Sequence, residues 1–277
     1  MPIKDIALFL RADAPHDDAI ALTALLAGRE GAAVEGICLS AEPILPFADA
    51  YAIGEAAALA VLEQRDRSIA AQLAPIERAF RKAMAAAGAP ATWRPAAPDE
   101  AVDATVLRAR FADLAVVRRP EPHHPAQAAL ADELVFSSGT PCLIAPDRPA
   151  ARGFDNVILA WDASANAKRA LDAAIGFLET ATAVEILLVD EHGPRAEDEW
   201  SNALLSHLGR HGVHAALRHD QRRGRPVGEV ILDGCDRFRA DLLVMGAYGH
   251  GRGAETVFGG ATRDVLSNAL VPVLMAH

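Results

Sequence analysis

Short runs of uninterrupted aliphatic residues punctuate this chain, separated by longer stretches that read as helical. In the second half the runs fall at 156–160, 184–189, 213–218, 242–246 and 271–275. Strands that are apolar throughout, rather than at alternate positions, are those of a parallel sheet covered on both faces. The pattern therefore predicts strands alternating with helices and an α/β, doubly wound fold. In the first half similar runs appear at 7–10, 112–117 and 140–145, and the Ala-rich stretch 47–88 predicts about one helix more than the second half contains. Such a helix is expected to cover the sheet or to pack against the other half.

The two halves follow one plan. Ala7-Leu8-Phe9-Leu10 leads to Asp13 and then Ala21-Leu22, just as Val157-Ile158-Leu159-Ala160 leads to Asp162 and then Ala170-Leu171. Downstream, Ala112-Asp113-Leu114 matches Ala240-Asp241-Leu242, and Thr140-Pro141-Cys142-Leu143-Ile144-Ala145 matches Val271-Pro272-Val273-Leu274-Met275-Ala276. A length of 277 residues independently favours two domains. The expected organisation is two tandem doubly wound parallel-sheet domains, 1–148 and 153–277. The linker is placed at Asp147 to Gly153, where Pro and Gly break the pattern.

Composition narrows the function classes. With 51% hydrophobic and 23% charged residues the chain is globular and not disordered. A formal charge of −10 disfavours non-specific attachment to nucleic acid or to an anionic membrane. The densest basic cluster, 218–225, reads as a solvated loop ahead of a helix. No apolar run approaches the ~18–20 residues of a membrane span, and the run at 6–10 is too short for a signal-peptide core, so a soluble cytoplasmic protein is expected. Cys38, Cys142 and Cys235 lack any short pair spacing and are expected as buried thiols. The histidines form no pattern with a second ligand class, so no metal site is expected.

The most informative window runs from Leu242 to Thr262. Its apolar run stops at Gly246, glycines recur at Gly249, Gly251 and Gly253, and Gly259-Gly260 open an amphipathic stretch that reads as a helix. Glycines allow positive φ and close approach of backbone to a ligand, and the free N–H groups of a first helical turn suit an anion. A nucleotide phosphate is the natural guest. After Val117 the first half instead reads Arg118-Arg119-Pro120-Glu121-Pro122-His123-His124-Pro125, and proline removes the backbone donors that a phosphate-wrapping loop needs. The N-terminal copy is therefore expected to have a degenerate site.

The spacing of Gly246, Gly249 and Gly259 resembles the nucleotide-binding signature of the universal stress protein family. That resemblance implies tandem domains of the adenine nucleotide alpha-hydrolase-like, Rossmann-like type, in which Asp162 contacts the adenine or ribose and backbone near Val189 reads the adenine edge. Gly246 and Gly249 would line the ribose and phosphate, with Gly259, Gly260, Ala261 and Thr262 donating to the phosphates. His250 could meet a phosphate oxygen, although a lone loop histidine is more often solvated. The ligand implied is ATP, or AMP or another adenine nucleotide, accompanied by magnesium, in a stress-response regulator with at most slow ATP hydrolysis. The family's final strand often pairs domains, which implies pairing of 142–145 with 273–276 within the chain and leaves a homodimer open.

Two departures temper the picture. The family usually carries Ser or Thr directly after the last glycine of the signature, where this chain has Gly260, and Asp162 is also well placed as a helix N-cap. A nucleotide-independent interaction scaffold with vestigial pockets is the alternative reading. P-loop, dinucleotide-fingerprint and nucleophile-elbow motifs are missing, so no catalytic residue is assigned.

Overall fold

The computed structural model describes residues 2–40, 55–97, 100–147, 153–190, 199–247 and 260–277. Its strands are β1 (Asp5–Arg11), β2 (Ala33–Leu39), β3 (Ala91–Trp93), β4 (Leu114–Arg118), β5 (Cys142–Ala145), β6 (Asn156–Ala160), β7 (Ala183–Asp190), β8 (Ala215–Gln221), β9 (Leu242–Gly246) and β10 (Val273–Ala276). The helices are α1 (Asp17–Glu30), α2 (Glu55–Ala86), α3 (Val102–Val106), α4 (Pro125–Ser137), α5 (Ala165–Thr180), α6 (Glu199–Arg210), α7 (Val227–Phe238) and α8 (Gly260–Asn268). All ten strands join one sheet in the order β3-β2-β1-β4-β5-β10-β9-β6-β7-β8. Neighbours are parallel except at the centre, where β5 and β10 run antiparallel with Leu143 opposite Leu274.

Each half winds outward in two directions from a switch point, β1/β4 in one and β6/β9 in the other. Both faces of the sheet are covered, which explains why the strands are apolar at successive positions. One core layer joins Leu8, Val116, Leu143, Leu159 and Leu274 to helices α1, α2, α5 and α6; the other joins Phe9, Val117, Ile144, Ile158 and Met275 to α4, α7 and α8. Each layer runs through both halves. Burial of each large side chain contributes roughly 1.5–3 kcal/mol against the entropy of ordering the chain.

The shared Ala-Asp-Leu motif has a local reason. Asp113 accepts from the backbone N–H groups of Lys4 and Asp5 at 2.7 and 3.0 Å, and Asp241 accepts from that of Asn156 at 3.0 Å. In each half, the residue leading into the fourth strand thus holds the start of the first. The long helix α2 supplies Ile69, Leu73, Ile76, Phe80 and Met84, a stripe at helical spacing, to the layer over β2 and β3. Its Phe80 ring lies 5.4 Å from that of Trp93, and both rings would come within 3 Å of a Cβ at Gly36.

Strand β8 corrects the sequence reading of the basic cluster. Residues 218–221 are an edge strand, and only the segment after Gln221 is a turn leading to α7. An edge strand is half-buried, so its polar positions Arg218, His219 and Asp220 hide the period of two that would have revealed it. The charges are largely paired: Arg218 and Arg237 with Asp220, and Arg225 with Glu229 and Asp233.

Because the central pair is antiparallel, the carboxyl ends of the strands in the two halves face opposite poles. Side chains cross the seam at both. Arg119 donates to the Ser267 carbonyl in the last turn of α8 and also pairs with Asp147. At the other pole the Phe136 and His277 rings stack at 4.5 Å.

Candidate functional site

The C-terminal half presents its strand ends at the β6/β9 switch point, where open α/β sheets bind ligands. Asp162 is exposed, two residues past β6, and its Oδ1 accepts from the Ser164 N–H at 2.9 Å. The cap of α5 is Ser164, whose hydroxyl oxygen accepts from Ala167 N–H at 3.0 Å. Asp162 is therefore not the N-cap that its sequence context also allowed. Between the two, Ala163 takes φ 60°. A left-handed alanine costs of order 1–3 kcal/mol, and strain of this kind gathers at ligand rims.

Val189 sits near the end of β7. The Leu187 carbonyl accepts from Trp161 N–H, so it points toward β6. Backbone direction repeats every second residue, so Val189 aims its polar groups the same way, above the point where β6 has ended at Ala160. Both Val189 and Asp162 thus belong to the same rim.

Gly246 ends β9, and a Cβ there would lie 2.4 Å from the Ala167 nitrogen and 2.7 Å from the Asn166 carbonyl carbon. Its smallness is demanded by the first turn of α5 packed across it. The sequence assigned this glycine to a ligand; the structure gives it a packing duty at the edge of the same rim. Gly249, His250 and Gly259 lie outside the described residues. Gly260, Ala261 and Thr262 form the first turn of α8, with Gly260 exposed, Ala261 half-buried and Thr262 only 3% exposed. The Thr262 hydroxyl is therefore turned into the protein, leaving backbone N–H groups as what this turn offers outward. The turn is fixed by close helix packing: a Cβ on Gly228 of α7 would lie 2.4 Å from Asp264 Cβ and 3.0 Å from the Ala261 carbonyl.

Sequence inspection misses three groups here. Asn166 is buried; its Nδ2 donates to the Ala247 carbonyl at 2.6 Å and its Oδ1 accepts from Arg169 Nη1 at 2.6 Å. It pins the residue after Gly246 to α5, a duty that one polar residue in a helical stretch does not advertise. His277 approaches the same corner, and burial, followed by the Arg169 charge, lowers its pKa. At the ends of β7 and β8, His219 Nδ1 lies 2.9 Å from Asp190 Oδ2, a pair made by strand register across 29 positions.

The N-terminal rim is built differently. Asp13, the counterpart of Asp162, receives Arg11 Nε and Nη2 at 2.9 and 2.8 Å, with His124 Nε2 3.5 Å away. Burial pushes its carboxyl up, but the hydrogen bonds and charge of Arg11, its own backbone N–H and His124 together leave it below its ordinary value. Among the described residues no group of three His, Cys, Asp or Glu is arranged to hold a metal, and no helix is long and apolar enough to cross a membrane.

Taken together, the chain is an α/β protein of the doubly wound, mostly parallel class, with a rim of backbone donors and a carboxylate at a switch point. Residues 153–277 match the model of the universal stress protein family. The segment 153–277 is thus similar to universal stress proteins in sequence as well as in fold. Among solved structures, a universal stress protein from Archaeoglobus fulgidus DSM 4304 aligns over 98% of this chain and 97% of its own, with 16% identity and a TM-score of 0.69. A functionally unknown protein from Pseudomonas aeruginosa PAO1 aligns over 99% and 92%, with 14% identity and a TM-score of 0.58. At these identities the likeness is one of fold, and it extends over the full chain. No curated protein matches the chain.

Proposed function

We propose that the C-terminal half binds ATP or a related adenine nucleotide and that the chain acts as a nucleotide-responsive regulator in a stress response. The observation that carries this reading is convergence. Asp162 follows β6, Val189 lies near the end of β7, and the first turn of α8 packs beside the start of α7, all on the carboxyl-end side of the strands around the β6/β9 switch point, in a half that matches the family model. The first turn of α8 suits phosphate through its N–H groups and helix dipole, and Asp162 suits a ribose hydroxyl. Gly249, His250 and Gly259 complete the proposed loop, with magnesium as the phosphates' counter-ion. Residues 1–148 and 153–277 are proposed as the two domains, the first with a rim no longer suited to a nucleotide.

The scaffold reading retains one specific support. Gly260 has no hydroxyl, and that of Thr262 faces inward. Calorimetric titration of the nucleotide-stripped chain with ATP, AMP and cyclic AMP in magnesium separates the two. Saturation at one site per chain supports the nucleotide reading; no heat at millimolar ligand, with an unchanged melting temperature, sinks it.

A further inference from the structure

The sheet ends on one side at β8, and among the described residues no strand pairs with its outer edge. Backbone direction along β8 is set by its inner neighbour. The Asp190 carbonyl accepts from Arg222 N–H, so Arg218 and Asp220 turn their backbone groups to β7, while Leu217, His219 and Gln221 turn theirs outward. Among the described residues these outward N–H and C=O groups have no partner. We propose that this edge pairs antiparallel with the same edge of a second copy of the chain, His219 opposite His219.

Charge selects the register. The outer part of the strand reads Leu217-Arg218-His219-Asp220-Gln221, with opposite charges on the two sides of His219. Centred on His219, an antiparallel pair sets Arg218 of each copy opposite Asp220 of the other. These are non-hydrogen-bonded positions, where Cα atoms stand ~4.5 Å apart and side chains come closest. Moving the centre by one residue sets Arg218 opposite Arg218 or Asp220 opposite Asp220, which like charge disfavours. Moving it by two toward the start of the strand leaves Arg218 opposite Ala216. The register chosen by charge also brings the outward groups of Leu217, His219 and Gln221 into hydrogen-bonded positions, about six bonds in all.

The side chains are held ready for this arrangement. Within one chain, Arg218 Nε donates to Asp220 Oδ1 at 3.0 Å, and Arg237 Nη2 donates to Asp220 Oδ2 at 2.8 Å. Arg218 keeps both Nη groups without a partner among the described residues. Its guanidinium can therefore reach a second carboxylate without giving up the first. On the other face of the strand, His219 Nδ1 lies 2.9 Å from Asp190 Oδ2, which holds the ring against β7.

Charges on an edge ordinarily keep other strands away. Here their order admits one partner, an identical edge run in the opposite direction. The sheet's other end, β3, spans only Ala91–Trp93 and is too short to offer the same contact. Water already satisfies the outward groups of the single chain, and an edge of five residues buries little surface, so the dimer is weak and concentration-dependent.

The test is sedimentation equilibrium of the full chain from about 5 to about 500 μM. No nucleotide is present, so the outcome is independent of the C-terminal reading. The mass is expected to rise reversibly from one chain toward two, with a dissociation constant on the order of 100 μM. Leu217→Pro removes an outward donor that makes no bond within the chain, and should weaken pairing at least about tenfold. Arg218→Asp sets like charges opposite each other and should do the same without touching the backbone. The register has its own probe. His219→Cys places two thiols on Cα atoms ~5.5 Å apart, within disulfide reach, so mild oxidation should give a covalent dimer. Ala215→Cys places them about 27 Å apart along the pair and should not; the native cysteines are buried and do not compete. A single-chain mass throughout, a dimer that both Leu217→Pro and Arg218→Asp leave unchanged, or cross-linking as efficient through Ala215→Cys as through His219→Cys would overturn the proposal.

Discussion

Two glycines at the C-terminal rim show how one residue type serves opposite ends. At Gly246 a methyl group would strike the backbone of Ala167. Backbone cannot swing aside as a side chain can, so Gly246→Ala is expected to lower stability by roughly 1–3 kcal/mol in denaturant unfolding. At Gly260 an added Cβ meets nothing within 4 Å. Gly260→Ser therefore restores the family's hydroxyl without strain and should tighten ATP binding about tenfold, since a hydrogen bond to a charged phosphate is worth roughly 1.5–3 kcal/mol. A calorimetric affinity no tighter than wild type would show that phosphate does not reach this turn. Sequence gave these two glycines one duty. The difference lies in what packs over Gly246, and the decisive atoms belong to residues 79 or more positions away.

Asp13 adds a pH dependence. Its carboxyl is held below its ordinary value of 3.8. The stabilisation is thus present above that pH and fades as pH falls through the lower folded value. Asp13→Asn is expected to lower the melting temperature at neutral pH, and the gap to wild type should close below about pH 3.8. A gap that persists in acid would mean that the residue contributes shape and not charge.

At the scale of elements, strands covered on both faces were legible and the edge strand was not. β6 and β9 match the apolar runs residue for residue, because nothing polar competes inside a parallel sheet. β7 and β10 differ by a residue or two at their ends, where ladders run past the apolar stretch. β8 drifts further because its outer side faces solvent and its polar residues serve ion pairs. The rim partners Asn166 and His219 were hidden for a related reason: their roles come from contacts between elements. The seam offers a kinetic readout. Burial pushes the Cys142 thiol up to about 12, so at pH 8 neither charge nor access favours attack. Cys142 is expected to react with a disulfide reagent only at the rate of global opening, whereas modification much faster than unfolding would show that β5 and β10 part locally.

At the scale of the whole molecule, the antiparallel centre turns two similar halves into a body with two poles, and α8 connects them. Its nine residues extend ~13 Å. Its first turn lies on the rim of the proposed nucleotide site, and the Ser267 carbonyl in its last turn is held by Arg119, which shares Asp147 with Arg118 at the opposite pole. The helix is a strut gripped at both ends. Any slide along its axis is felt at both poles. A load placed on its first turn would therefore be felt at the far pole, through the grip of Arg119 on Ser267.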